Sequence, residues 1–432
     1  MTLASLSLEQ APPVSVPFRF FFTAPFFLIL AAIALAAAGP SALESRWTPA
    51  LLGITHLLTL GCMSMVMSGA MLQLLPVLAG SPVPNPRRVA WTIQLPMLAG
   101  MLLLSAGLYF VKAPLLWLAI PLLVFAFAEL IIVAAYSLVR APTRNPSTRA
   151  MLLALFALVI AITLGALLAS SVGGLLDLPV MSLTTLHVAW GLVGWTGLLV
   201  IGVAYQVVPM FQLTSIYSRH ITRWLGGSLF ALLALWSCHL LLPERIASIL
   251  NLVAGMALTI CVVTFAGATL YLQYRRRRRV PDVTLQFWRV GMISLIVAAL
   301  IWLAGQMIVT LSDRVFYALI VGVLFIVGFV LSVIIGMLYK IVPFLIWFHL
   351  QGKLSYKLIP NMKDIVPDKV ARQHLYVHVV CLLLCMAAML LPTLFIYFAA
   401  LSLAISGSIL FVNLYRAWQH YVTAMAKVEV QG

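Results

Sequence analysis

Apolar residues in this chain do not alternate with polar ones. They come in predominantly apolar runs of 18 or more with few charges, separated by short polar connectors. A run of that length crosses a bilayer as a helix. Twelve helices are predicted, over approximately 18–38, 50–79, 91–111, 114–140, 149–171, 182–212, 224–242, 246–274, 286–310, 315–348, 373–392 and 394–420. The expected fold is all-α and polytopic, one membrane domain over 1–432, with no room for a soluble domain.

A spacing recurs within these runs. Gly61, Gly69, Gln73 and Pro76 form one mark; Gly194, Gly202, Gln206 and Pro209 form a second; Gly328, Gly336, Lys340 and Pro343 form a third. Each closes the second helix of a four-helix group, so three internal repeats are expected over 18–140, 149–274 and 286–420. Four crossings return the chain to its starting side, which makes the groups parallel rather than inverted. Each group opens with an arginine (Arg19, Arg149, Arg289) and closes with a tyrosine and arginine (Tyr136 with Arg140, Tyr271 with Arg275, Tyr415 with Arg416). Two glycines eight apart lie about 80° apart around a helix. They clear one broad face for a neighbouring helix. The proline is expected to stop or kink the helix as it leaves the membrane. Gln73, Gln206 and Lys340 sit deep enough to need partners, and Lys340 has the length to snorkel to the inner surface.

Composition agrees with the class. Charged residues are 8% of the chain, against roughly 25% in soluble domains. The net charge of +16 is one-sided. With a cytoplasmic N-terminus, only Arg46, Lys112, Arg245 and Arg314 fall on outer connectors, and 22 of the 26 Lys and Arg fall inside. That is the positive-inside pattern, and it puts both termini in the cytoplasm. The run Arg275 to Arg279 reads as a topology anchor beside anionic lipid. No base-reading module accompanies it, so nucleic acid is excluded as a partner. The start, Met1 to Pro17, has no charged region followed by a cleavable site, and no signal peptide is expected.

Candidate chemistry is sparse. His220, His349, His374, His378 and His420 sort to the inner side. The i, i+4 pair His374 and His378 is expected to be solvated or to face headgroups, with a metal role as the alternative. His56, His187 and His239 sort to outer helix ends. An imidazole inside a span is costly unless it pairs or coordinates, and histidine ligates both haem iron and copper. His56 stands five residues before its glycine and His187 seven before its own, so repeat symmetry alone does not make them converge. Val321 and Val323 fill the corresponding places in the third group. Met63, Met67 and Met71 form a stripe, and Cys381 and Cys385 a pair; both read as packing before ligation. Glu129 is the one carboxylate deep within a span, and a proton relay is the chemistry it suggests. No phosphate loop, paired catalytic carboxylates or activated nucleophile is present.

Twelve helices in three groups, with histidines at the outer ends of helices 2 and 6, resemble subunit I of the haem-copper oxidases. The segment His56, Gly61, Gly69, Pro76 and the aromatic opening Phe18-Arg19-Phe20-Phe21-Phe22 are similar to the NnrS-type membrane proteins, a bacterial branch associated with the nitric oxide response. The resemblance implies haem, of b type as a first guess, with copper as a second cofactor, in the outer half of a bacterial inner membrane. It implies His56 as a haem ligand, His187 as a haem or metal ligand, and His239 as a further metal ligand. It also implies a respiratory or electron-transfer partner. Oxidases carry two histidines on helix 10 and adjacent ones on helix 7; this chain has only His349 and His239 there. NnrS-like proteins tend to show a second histidine and an acid near the helix 2 position, where Ile54 and Leu57 stand. The resemblance therefore implies an accessory protein rather than a complete oxidase or nitric oxide reductase. The alternatives are a transporter using Glu129, Gln73, Gln206 and Lys340, and an oxidoreductase completed by a partner subunit.

Overall fold

A computed structural model describes residues 11–80, 83–141, 145–276, 282–351, 353 and 359–431. Arg144, Lys357 and Arg277 to Arg279 of the basic run lie outside the described residues, as do the first ten residues. Twelve helices are long and apolar enough to cross a membrane: α1 Ser15–Leu43, α2 Pro49–Val77, α3 Pro86–Tyr109, α4 Ala113–Val139, α5 Pro146–Val172, α6 Val180–Gln212, α7 Arg219–Leu241, α8 Glu244–Tyr274, α9 Val283–Met307, α10 Val315–Gln351, α11 Asp368–Leu390 and α12 Pro392–Ala426. Several begin a turn or more before the expected starts, because polar first turns hide the boundary. Asn145 caps α5 by accepting from the Thr148 amide, and Asp282 caps α9 by accepting from Thr284. Capping supplies partners for the orphan amides of a helix start.

Consecutive helices α4 and α5, and α8 and α9, pack together, and α1 packs on α12, so the chain closes on itself. Of the helices that carry the glycine marks, α10 and α2 are the most buried of the twelve, while α6 is buried to the same extent as α3, α11 and α12. About 72% of the apolar stretch of α10 is buried, against 22% for α8 on the periphery.

The glycines of α2, α6 and α10 face α1, α5 and α9 respectively. A Cβ on Gly61, Gly194 or Gly328 would come within 3 Å of Phe27, Ala157 or Ser294. On Gly69, Gly202 or Gly336 it would meet Phe20, Ala150 or Phe287 at 2.7, 3.0 and 2.7 Å. Phe20 to Phe27, Ala150 to Ala157 and Phe287 to Ser294 are each seven residues, so the three contacts share one register.

Two expectations need correction. The prolines do not stop their helices. Pro76, Pro209 and Pro343 all lie inside them; the first two helices end at left-handed Gly80 and Leu213, and the third runs on to Gln351. A proline removes one amide donor, and a crowded bundle tolerates that loss. The marked helices are also not α-helical throughout. Leu57–Ser64, Ala189–Gly197 and Leu324–Leu331 are wound as π-helix, and each contains the first glycine of its mark.

Candidate haem or metal site

His56 ends the α-helical part of α2 and His187 lies two residues before the π-helical part of α6. Their rings come close and lie nearly parallel, with centroids 6.3 Å apart and planes 21° apart. The expectation of separate faces counted rotation along a regular α-helix. A π-turn holds more residues than an α-turn, so that count does not carry from glycine back to histidine.

Each ring is anchored by the same nitrogen. His56 Nδ1 lies 2.8 Å from the Leu52 carbonyl, and His187 Nδ1 lies 2.9 Å from the Ala161 carbonyl on α5. A carbonyl only accepts, so both Nδ1 atoms carry the proton and donate. Both Nε2 atoms are then bare acceptors in the neutral rings. An outer hydrogen bond of this kind fixes ring and tautomer in metal-ligating histidines. Gly165 makes room for the second ring, since a Cβ there would stand 3.0 Å from His187 Cε1. Gly191, one turn along α6, meets nothing within 4 Å, so no side chain walls off that flank.

The separation can be tested against a shared ion. Metal–imidazole bonds run about 2.0–2.1 Å, and Nε2 stands about 1 Å from its ring centroid, so two rings across one ion have centroids about 6 Å apart. The spacing fits one two-histidine centre in the arrangement where both bare Nε2 atoms turn toward the shared ion. No group of three or more His, Cys, Asp or Glu that could hold a metal occurs among the described residues.

No protein-family model matches the chain, and no curated protein does. Solved structures do match. One is a haem-copper terminal oxidase determined as a dimer by electron cryo-microscopy, with a TM-score of 0.63 and 12% identity over 96% of this chain and 84% of that one. The fold is that of a haem-copper oxidase. At this identity the likeness concerns the backbone path, so the site has to be judged on the side chains present.

Within the haem-copper oxidase fold the other histidines do not join the pair. His239 lies in a turn at the C-terminal end of α7; its Nδ1 donates to the Trp236 carbonyl at 2.6 Å and its ring packs on that indole. His349 sits at the C-terminal end of α10 and contacts the carbonyls of Leu345 and Pro12. Met63, Met67 and Met71 are buried in the apolar core, as are Cys381 and Cys385.

The remaining candidates scatter. Glu129 on α4 pairs with Thr92 on α3, Oγ1 to Oε1 at 2.5 Å, and its Oε2 is buried with no partner among the described residues. Gln73 is buried with its Oε1 likewise bare, whereas Gln206 is half-buried. Lys340 reaches Asp282 at 3.1 Å, at the start of α9. Burial pushes the Asp282 carboxyl up, but the hydrogen bond from Thr284 and the Lys340 ammonium outweigh it and hold the carboxyl below its ordinary range.

The third group holds a polar cluster that the sequence reading missed. His374 and His378 are both fully buried, not solvated. His374 bridges the Tyr339 hydroxyl (Nδ1, 2.6 Å) and Ser406 (Nε2, 2.9 Å), and Asn413 donates to the same tyrosine oxygen at 2.7 Å. Ser332 gives its one proton to the Gly328 carbonyl, so His378 Nε2 must donate to Ser332 at 2.7 Å. His378 Nδ1 is left bare and buried. One signal was available: serines and an asparagine on α12 at Ser402, Ser406 and Asn413 make an inward polar stripe opposite the histidines.

Proposed function

We propose that this chain is a haem- or copper-binding protein of the bacterial inner membrane, with both termini cytoplasmic, three parallel four-helix repeats and one centre held between His56 and His187. Its role is accessory, in respiration or in the NnrS-type response to nitric oxide, beside a respiratory electron-transfer partner. The observation that carries the reading is the nearly parallel pair of rings 6.3 Å apart, each tied to a carbonyl through Nδ1. A bound haem iron or copper ion would supply reversible one-electron chemistry and an affinity for small diatomic ligands. The protein's part is to fix both ring planes, set the tautomer and keep the site among apolar side chains. His239 stays a candidate for a second, metal-only position.

The purified protein, expressed with ample haem and copper, should show a Soret band or stoichiometric copper. His56→Ala and His187→Ala should each lose it. Absence of both cofactors from the parent protein would end the haem and copper reading. Retention in both variants would move the centre elsewhere. A second reading, a transporter, draws on the Glu129–Thr92 pair and its bare Oε2. Proton uptake into vesicles that disappears in Glu129→Gln, with no cofactor bound, would favour it. Nitric oxide consumption by reduced membranes would instead support an oxidoreductase completed by a partner subunit.

A further inference from the structure

The surface between α9 and α11 carries a groove of about 470 Å³. Gln286, Arg289 and Tyr376 line one end, and Ile293, Val379 and Val380 line the rest. Arg289 lies six residues into α9 and Tyr376 eight residues into α11, about 9 and 12 Å from the inner ends of those helices at 1.5 Å per residue. Both side chains are exposed. Neither makes a hydrogen bond or ion pair with a described residue.

The three repeated glycine contacts show why this arginine is unusual. Arg19 and Arg149 each precede a contact residue, Phe20 and Ala150, by one position. The third contact residue is Phe287, so the matching position is Gln286. Arg289 therefore stands three residues further along its helix, about 4.5 Å deeper into the membrane. In the first group the guanidinium of Arg19 is covered by Trp91 of α3, at 3.4 Å from the ring centroid. No described aromatic ring covers Arg289, and an open groove lies beside it. A cation at that depth with no partner among the described residues is costly, and an anion in the groove would relieve the cost.

We infer that this groove binds one anionic glycerophospholipid of the inner leaflet. Its phosphate takes the two-pronged donor of Arg289, with the Gln286 amide and the Tyr376 hydroxyl as further donors. One acyl chain lies along Val290, Ile293, Val379 and Val380. Charge favours this occupant, because Arg372 is exposed one turn from Tyr376 toward the same end. Basic pockets between helices on the cytoplasmic side hold anionic headgroups in this way. The inference does not depend on whether His56 and His187 hold a cofactor.

The test uses the full chain reconstituted in vesicles of phosphatidylcholine and phosphatidylglycerol in equal amounts, then solubilised and weighed intact with its retained lipid. The parent protein should keep one phosphatidylglycerol in preference to phosphatidylcholine. Arg289→Gln should lower that retention about tenfold, as expected for loss of a charge-assisted pair, and erase the preference. Val379→Trp, which fills the acyl bed, should lose both lipids. Phosphatidylglycerol should raise the thermal unfolding temperature of the parent protein and leave that of Arg289→Gln unmoved. Unchanged phosphatidylglycerol retention in Arg289→Gln would overturn the proposal. So would displacement of the lipid by inorganic phosphate alone, which would make the site one for a free anion.

Discussion

Tyr339→Phe tests whether the buried cluster of the third group is a connected network. The change removes one oxygen and leaves the ring volume in place. That oxygen accepts from Asn413 Nδ2 at 2.7 Å and meets His374 Nδ1 at 2.6 Å, so two buried groups lose a partner together. Both are enclosed, His374 at 0% and Asn413 at 5% exposure, so water does not replace the hydroxyl. An orphaned buried polar group costs about 1–3 kcal/mol in proteins generally. Hydrogen bonds between membrane helices average only about 0.6 kcal/mol, because the unfolded chain in lipid finds other partners. Two such groups place the expected loss at about 1–3 kcal/mol, read as a shift in the unfolding midpoint against a denaturing detergent. Asn413→Leu alone should cost less, since the tyrosine oxygen keeps His374. The double variant Tyr339→Phe/Asn413→Leu should lose less than the sum of the two, by about 0.5 kcal/mol or more, as groups in one network do. Strict additivity, or a single loss under about 0.5 kcal/mol, would refute the network.

The Lys340–Asp282 pair should make stability depend on acid. The folded carboxyl is held low, so its contribution is present above the unfolded value near 4 and fades as pH falls through the folded value. Asp282→Asn should remove that acid-side dependence while keeping the α9 cap, because asparagine caps as well as aspartate, and should cost up to about 1 kcal/mol through the lost ion pair, seen in pH-resolved thermal melts. Gly69→Ala should destabilise the protein, because its Cβ would stand 2.7 Å from Phe20 Cβ. Gly227→Ala meets nothing within 4 Å and should be neutral or better in the same assay. Gly165→Val should push the His187 ring aside, since its Cβ alone would stand 3.0 Å from Cε1 and 3.5 Å from Nδ1, and lower cofactor content, while Gly227→Ala leaves it unchanged.

How much of this was legible follows from what each kind of residue reports. Long apolar runs declare a membrane helix, because lipid leaves a spanning segment few other options. Long polar first turns shifted the starts of α3, α7 and α11, since hydropathy falls before the helix does. The glycine spacing pointed to close packing, and the contacts with Phe20, Ala150 and Phe287 are of that kind. His374 and His378 were misplaced because their helix begins five residues earlier than expected, at Asp368. A pair assigned to the membrane surface therefore lies more than a turn deeper, against Ser332, Tyr339 and Ser406. The meeting of His56 and His187 was not legible in the repeat spacing, although the resemblance implied both as ligands. Sequence spacing gives a face only if the winding is known, and nothing in LLTLGCMS or AWGLVGWTG announces a π-helix.

The π-helical stretches themselves bear on how the site arose. Such windings often accompany functional positions, and a ligand requirement would be the simple cause if only the histidine-bearing helices had them. Leu324–Leu331 has the same winding around Gly328, although Val321 and Val323 stand where a donor would be needed. The winding is thus a property of the packed scaffold. The π-helical parts of α2 and α10 also touch each other across the interior. The winding is present whether or not the helix carries a histidine. Histidines on the first two helices then suffice for a shared centre. A donor introduced at the third should extend it, so Val321→His is expected to raise copper or zinc affinity of the parent protein. If His56→Ala/Val321→His restores metal binding lost in His56→Ala, the scaffold sets the geometry. If it does not, the His56 position itself is special.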